Sequence, residues 1–355
     1  MATKCYHCKI IGLTNIKQEA LSQEYNNLQH YLQTREDKGL YSAIKQQADR
    51  SYKVIKKDKK YPLSVRNDLL KIEKNKNVLT EYWCRIPVKA VRGGIWVGIK
   101  PYEPIPSNAK VCESKVFFKN KDWWLDIVVK KNIPEKTEYQ NVMAIDMGIK
   151  HIACSVDMAS GKTVFYGNDL NRVRGHYFWL RRKLGMKKAI DTIKKIGHHE
   201  KRIANNIVHN ISREIVNQAI ETDSIIVFGN LKYLRKRKQR QYRRRMARLL
   251  SGFPYYKLMQ YIRYKAALAG IKAIEVSEAW TSQICNKCRE RGQRKTQGLF
   301  ECQCGVKENA DRNATFNIAK RGLGYCSKLG VVVSLPRTVA RVDRNPMMTM
   351  EATGL

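Results

Sequence analysis

The sequence predicts a mixed α/β domain carrying a cysteine-rich knuckle, preceded by a helical block and a small antiparallel β unit. Three observations carry this. Apolar, strand-like runs come first as a meander and then alternate with helical segments. Four cysteines form two close pairs, Cys285/Cys288 and Cys302/Cys304. Near Tyr82 the hydrophobic period changes from helical spacing to short strand-like pieces.

Taken in order, residues 1–11 are a candidate first strand of the β unit, and residues 12–80 read as helical. LTNIKQEALSQEYNNLQHYLQ places Ile16, Leu21, Tyr25, Leu28 and Leu32 at helical spacing. SVRNDLLKIEK opens on a serine suited to cap another helix. Residues 81–132 hold WCRIPVKAV, GIWVGIKPY, SKVFFKN and DWWLDIVVKK, strand-like pieces broken by GG, PIP and NK turns. IPEKTEYQN (133–141) is polar and reads as a linker. The second domain, 142–322, starts with VMAIDMG, followed by HIACSVDM and TVFYG as a meander around an SGK turn. Residues 168–220 read as helical, SIIVF as a fourth strand, 253–269 as a helix and IKAIEVS as a fifth strand. After a cysteine-rich stretch at 281–306 comes the helix NADRNATFNIAKRG, and residues 323–355 read as a disordered tail.

The charge balance narrows the partners. Sixty-eight Lys and Arg against 31 Asp and Glu give a net charge of +37. Such a chain repels itself unless a polyanion neutralises it, which selects nucleic acid. A membrane surface fits less well, because no apolar run reaches transmembrane length. MATKCYHCKI lacks the apolar stretch of a secretion signal, so the expected location is intracellular, cytoplasm or nucleoid in a prokaryote. The ten cysteines are then thiols or metal ligands in preference to disulfides.

The two cysteine pairs flank a 13-residue polar gap, and four thiolates so spaced can surround one tetrahedral zinc. All-cysteine ligation leaves no open position, so this zinc is structural. The alternative is a set of reduced surface thiols, and the second pair is C-x-C in place of the usual C-x-x-C. Cys5-x-x-Cys8 has no partner pair nearby and reads as packing.

Two acids end apolar segments. Asp146 closes a strand and precedes Met147-Gly148; Asp311 sits in the first turn of the helix after the knuckle. Each alone has a plain explanation, a solvent-facing strand end for Asp146 and a helix N-terminus for Asp311. Together, in so basic a chain, they suggest carboxylates holding two Mg²⁺ about 4 Å apart for phosphodiester hydrolysis. That chemistry needs three or four carboxylates, and two are in view.

AIDMGIKHIACSV, IIVFGNLKYL, YKAALAGIKAIEVSEAWTSQICNKC and FECQCGVKENADRNATFNIAKRG fall in the order of a RuvC-type nuclease domain. They resemble the TnpB family, transposon-encoded ancestors of type V CRISPR effectors, over about residues 140–322. The resemblance implies an RNase H-like (RuvC) fold with an inserted zinc knuckle, preceded by a helical recognition region and a wedge-like β domain. It implies an RNA-guided DNA endonuclease, with a guide RNA from the transposon end, target DNA next to a short motif, and one Mg²⁺-dependent site. A monomer in the ribonucleoprotein is expected.

Carried over by position, the resemblance makes Asp146 the first acid and Asp311 the third. The second is normally a Glu before Asp-Leu or Asn-Leu; here Gly229 precedes Asn230-Leu231. Either the protein binds DNA without cutting, as a nuclease-dead repressor, or another acid fills the gap. Glu278 ends the neighbouring strand, and adjacent strands lie about 4.8 Å apart. Most relatives carry proline there, and some Fanzor relatives carry a rearranged acid. Glu275 is the rival, with opposite facing parity, and Asp223 lies at the wrong end of its strand. The expectation is that Asp146, Glu278 and Asp311 hold Mg²⁺. A third reading is a zinc-ribbon nucleic-acid-binding protein that uses no guide.

KYLRKRKQRQYRRR (232–245) holds nine cations and no acid. Lys232, Arg235, Lys236, Arg237, Lys238, Arg240, Arg243, Arg244 and Arg245 are expected phosphate contacts, with Tyr233 and Tyr242 available to stack on bases. The alternative is a solvated loop. RVRGHYFWLRRKLGMKK (172–188) alternates cations and aromatics, with Arg181 and Arg182 as further contacts and Phe178, Trp179 and Leu180 as candidate core.

Overall fold

The computed structural model describes residues 2–56, 59–75, 79–106, 110–230, 254–296 and 298–335. The chain divides into two compact units, Met1–Asn132 and Ile133–Leu355.

The first unit is an antiparallel sheet with two helices. Its elements are β1 (Ala2–Ile11), α1 (Asn15–Thr34), α2 (Ser42–Ser51), β2 (Leu63–Val65), β3 (Lys71–Lys74), β4 (Tyr82–Val88), β5 (Val91–Pro101), β6 (Lys110–Val111), β7 (Ser114–Lys119) and β8 (Asp122–Lys131). The strand order is β2-β7-β8-β1-β5-β4-β3, with β6 also on β8. The β7–β8 turn is Asn120-Lys121, both at positive φ, the backbone twist that a two-residue hairpin needs. Leu21, Tyr25, Leu28 and Leu32 of α1 are buried in one core with Val97, Ile99, Leu125 and Ile127 of the sheet. Glu24 is buried too, and its carboxylate accepts from the backbone N–H of Tyr41 at 2.7 Å and of Lys89 at 2.8 Å.

The helical expectation for 12–80 holds only as far as Ser51. SVRNDLLKIEK forms no helix. Leu63–Val65 pairs with β7, and Lys71–Lys74 pairs with β4. Both are edge strands at the two ends of the sheet, so partner strands override the weak helical pattern. Cys5 is exposed and Cys8 buried, on opposite faces of β1, so they do not form a metal pair.

The second unit holds β9 (Glu138–Tyr139), β10 (Asn141–Asp146), β11 (Ala153–Asp157), β12 (Thr163–Tyr166), α3 (Asn168–Met186), α4 (Ile190–Glu221), β13 (Ser224–Asn230), α5 (Tyr255–Leu268), β14 (Ala273–Ser277), β15 (Gln293–Arg294), β16 (Leu299–Glu301), β17 (Lys307–Asn309), α6 (Ala310–Lys328) and β18 (Val332–Val333). The main sheet runs β12-β11-β10-β13-β14. β10, β11 and β12 are antiparallel neighbours, whereas β13 and β14 add parallel to β10. Both faces are covered. Met143, Ile145, Ile226 and Phe228 pack with α4 and α5, while Val142, Ala144, Ile225, Val227, Ile274 and Val276 pack with α6. Burial on both faces explains why VMAI and SIIVF are unbroken apolar runs.

Two boundaries differ from expectation. The stretch read as a linker contains β9, which pairs in parallel with β18 inside the stretch read as tail. The last helix does not stop at Gly322 but continues to Lys328. Gly322 is a contact position: a Cβ there would stand 2.5 Å from Val227 Cγ2. Helix propensity alone favours Gly322→Ala by about 1 kcal/mol. The close approach reverses the sign, and urea unfolding is expected to show a loss of about 1–3 kcal/mol. Combining it with Val227→Ala should cost less than the sum of the two single variants.

Candidate catalytic crevice and metal centre

β10, β13 and β14 are parallel, so their carboxyl ends share one edge of the sheet, where such folds bind ligands. Ile145 is level with Phe228, so Asp146 is level with Gly229, which pairs with Val276. Alternation puts Asp146, Gly229 and Val276 on the α6 face. Glu278 lies two residues beyond Val276, on that same face, and turns back over β13. A Cβ placed on Gly229 would lie 3.2 Å from Glu278 Oε2 and 3.3 Å from Glu278 Cβ. Glu278 therefore fills the space in which a side chain at 229 would begin. Glu275 faces the other way and takes Arg263 Nη2 of α5 at 2.6 Å. Asp223, at the start of β13, is paired with Lys136.

Asp311 enters from α6. Asn309 caps that helix, its side-chain oxygen accepting from Asp311 N at 2.8 Å and Arg312 N at 3.3 Å. Asp311 Oδ2 lies 4.0 Å from where a Cβ on Gly148 would be, beside the end of β10. Arg294 of β15 donates from Nη2 to Asp311 Oδ1 at 3.3 Å.

The electrostatics tie the acids together. Burial first, then the neighbouring Asp311 charge, push the Asp146 carboxyl up to about 7, against the lowering effects of the Met147 N–H and Arg294. Burial, then Asp146, push Glu278 up to about 7. Asp146 thus senses both other carboxylates. Their oxygens do not all lie within 4.8 Å of one another; among the described residues only the four knuckle thiols reach that spacing. Mutual repulsion of like charges favours the wider arrangement. Three partly buried hard oxygen donors on one edge suit Mg²⁺.

The stretch from Ser277 to Asn286 is held by α6. Arg321 Nη1 donates to Ser277 O at 2.7 Å, and Asn317 Nδ2 to Thr281 O at 2.9 Å and Ile284 O at 2.7 Å. Asn313 accepts from Asn286 N at 2.9 Å and donates to Ile284 O at 2.8 Å, and Lys320 Nζ reaches Asn286 O at 2.9 Å. Thr281 closes the turn after Glu278, its Oγ1 donating to Glu278 O at 2.8 Å. Sequence reasoning missed this stripe and Arg294. The signal for the stripe was present as polar residues at i, i+4, i+7 and i+8 on a half-buried helix.

Cys285, Cys288, Cys302 and Cys304 come together in the knuckle formed by β15, β16 and β17. Cys285 Sγ is 3.7 Å from Cys304 Sγ, and Cys288 Sγ 3.5 Å from Cys302 Sγ. A tetrahedron with Zn–S of about 2.3 Å has S···S edges of about 3.8 Å, so the four thiols fit zinc and are too far apart for disulfides. Phe300, Val306 and Ala310 form a small core beside them.

Of the remaining expected contacts, Lys232, Arg235, Lys236, Arg237, Lys238, Arg240, Arg243, Arg244 and Arg245, with Tyr233 and Tyr242, lie outside the described residues. Arg181 pairs with Glu200, and Arg182 is exposed. Phe178 and Trp179 are exposed and not core, with Lys183 Nζ 4.6 Å from the Trp179 ring centre.

The Cas12f1-like, TNB domain family model matches residues 255–318, from α5 through the knuckle into α6. A TnpB-like protein of Methanocaldococcus jannaschii is 25% identical over 209 residues, 55% of this chain and 74% of that protein. The chain is thus similar in sequence to TnpB-like proteins. Other relatives include the CRISPR-associated endodeoxyribonuclease Cas12f2 of Micrarchaeota archaeon (strain CG1_02_47_40). It is 27% identical over 220 residues, 57% of this chain and 40% of the relative. Cas12f1 of Sulfoacidibacillus thermotolerans is 46% identical over 76 residues, 21% of this chain and 18% of the relative. The chain thus spans less than half the length of these two Cas12f relatives. A Cas12f1 chain in a complex with sgRNA and target DNA superposes with a TM-score of 0.44 at 18% identity, over 91% of this chain and 100% of that one.

Two outcomes follow. Purified protein is expected to carry one zinc per chain by elemental analysis. Replacing Cys285 with Ser should abolish that zinc and lower the unfolding midpoint. Without divalent metal, Asp146 and Glu278 keep protons in the fold up to about pH 7 that the unfolded chain releases near pH 4. The folded state therefore binds more protons across that window, and stability falls as pH rises through it. In chelator, Asp146→Asn should show a smaller drop in midpoint from pH 5 to pH 8 than the parent, and Mg²⁺ should raise the parent's midpoint most at pH 8.

Proposed function

We propose that this protein is an RNA-guided DNA endonuclease associated with a transposon, cutting target DNA at one Mg²⁺-dependent site in an RNase H-like (RuvC) domain. One observation carries this: Glu278 stands over Gly229, level with Asp146 and on the face that receives Asp311. The crevice then has three carboxylates where the strand tip alone leaves two. The relatives named as endodeoxyribonucleases support the same reading.

Asp146, Glu278 and Asp311 would hold the magnesium, which when bound activates water and stabilises the leaving oxygen of a phosphodiester. The protein's own part is placement and charge. Asp146 is fixed by β10, Asp311 by the capped first turn of α6, and Glu278 by the clamped turn after β14. The three carboxylates balance the charge of cationic ligands. Arg294, beside Asp311, is placed to neutralise an incoming phosphate. The excess of 37 positive charges favours DNA and RNA binding through their phosphates, with sequence read by base pairing to the guide.

The test is a swap of acids. Glu278→Ala should lower cleavage of guide-matched duplex about 100-fold or more while leaving guide-dependent binding intact. The double variant Gly229→Glu/Glu278→Ala restores an acid from the strand itself, with only the Glu278 Oε2 contact removed and Ile318 Cδ1 still 3.1 Å from the new Cβ, and should recover part of the activity. A parent that binds matched DNA and never cuts it would leave a guided DNA-binding repressor. Normal cleavage by Glu278→Ala would remove Glu278 from the site.

A further inference from the structure

Trp280 combines features that folding does not require. It sits at φ = 64°, in the left-handed region that bulky side chains avoid, and its residue is 61% exposed. The turn uses only its backbone: Trp280 O accepts from Gln283 N at 2.9 Å and Ile284 N at 3.1 Å. Glycine would supply that carbonyl with less strain. Strained backbone that displays a large side chain concentrates at working sites. Trp280 is two residues beyond Glu278, in the turn that Thr281 closes onto Glu278 O. The Arg291 guanidinium lies 5.6 Å from its ring centre, and Arg291 Nη2 is steadied by Gln283 Oε1 at 3.0 Å. An exposed indole backed by a guanidinium, beside a carboxylate crevice, matches the chemistry of a base next to its phosphate.

We propose that Trp280 is a stacking platform for a nucleobase of the single DNA strand whose phosphate enters the crevice, with Arg291 meeting the adjoining backbone. The inference rests on the nuclease reading. Every base presents a π-face, so the platform is tolerant of sequence and sets position in place of specificity. It orients the strand for the acids without touching the reacting atoms, which makes Trp280 a positioning residue.

The test separates stacking from folding and from cleavage. The full-length protein, free of divalent metal, is mixed with an oligodeoxythymidine carrying one 5-iododeoxyuridine and irradiated, and the cross-linked peptide is identified by mass spectrometry. Cross-linking is expected at Trp280. Trp280→Gly should lose that adduct and bind the oligomer about tenfold more weakly, a change of about 1.4 kcal/mol. Its unfolding midpoint should be equal or higher, because glycine relieves the positive φ. Trp280→Phe should keep most of the binding. Adducts confined to other residues, or unchanged binding in Trp280→Gly, overturn the proposal. So does a fall in both midpoint and binding in Trp280→Gly that Trp280→Phe shares. Cleavage is read on the same preparations. A parent that never cuts but cross-links through Trp280 supports the platform while removing the nuclease reading. A parent that cuts but has no adduct at Trp280 overturns the platform alone.

Discussion

Asn313, Asn317, Lys320 and Arg321 give their donors to the carbonyls of Ser277, Thr281, Ile284 and Asn286, and the acid edge depends on this clamp. Beyond Ser277, the end of β14, the clamped stretch is neither helix nor strand, so most of its carbonyls have no regular partners. Leaving a buried one unpaired costs about 1–3 kcal/mol. The same stretch carries Glu278 at one end and Cys285 at the other. α6 also brings Asp311 in its first turn and packs Ile318 and Ala319 on the sheet. One helix thus sets the separations between an acid on its own turn, an acid on a loop and the first ligand of the knuckle. A zinc on the four thiols would stiffen the far end of that loop and so bear on the placement of Glu278.

The second constraint is electrostatic. Three carboxylates share one partly buried edge, and burial first, then the neighbouring carboxylate, raises Asp146 and Glu278. A site so arranged is unfavourable to charge until cations arrive. Compared with an acid at 229, Glu278 would leave this balance intact, because it lies on the same face and against the same space. What changes is the support. A strand residue is held by ladder hydrogen bonds, whereas Glu278 is held by the turn and by α6.

Much of the second unit was legible in the sequence, for physical reasons. The strands β10 and β13 are buried on both faces and read as continuous apolar runs. The four cysteines lie in two close pairs, the spacing that suits the ligands of one small metal. What was not legible depends on partners distant in sequence. Lys71–Lys74 has the composition of an exposed segment and becomes a strand only beside β4. Gly322 has the look of a helix stop, yet it is small because Val227 presses against it. Arg294 lies in a polar stretch, and only the β15–β16 register turns it towards Asp311. Glu278 was found by comparing two neighbouring strand tips, but the length and path of its turn belong to contacts with α6. The basic segment 232–245 falls outside the described residues.

The pairing of Val332–Val333 with Glu138–Tyr139 places the chain's lead into the second unit beside its lead out, about 4.8 Å apart. Both leads lie at the edge where β10 begins, and the carboxylates lie at the edge where it ends. A module wired in this way is a cartridge. Its two leads, Glu138–Tyr139 and Val332–Val333, lie together at the opposite edge from the carboxylates. A change of length at either lead would then leave the carboxylate edge as it is.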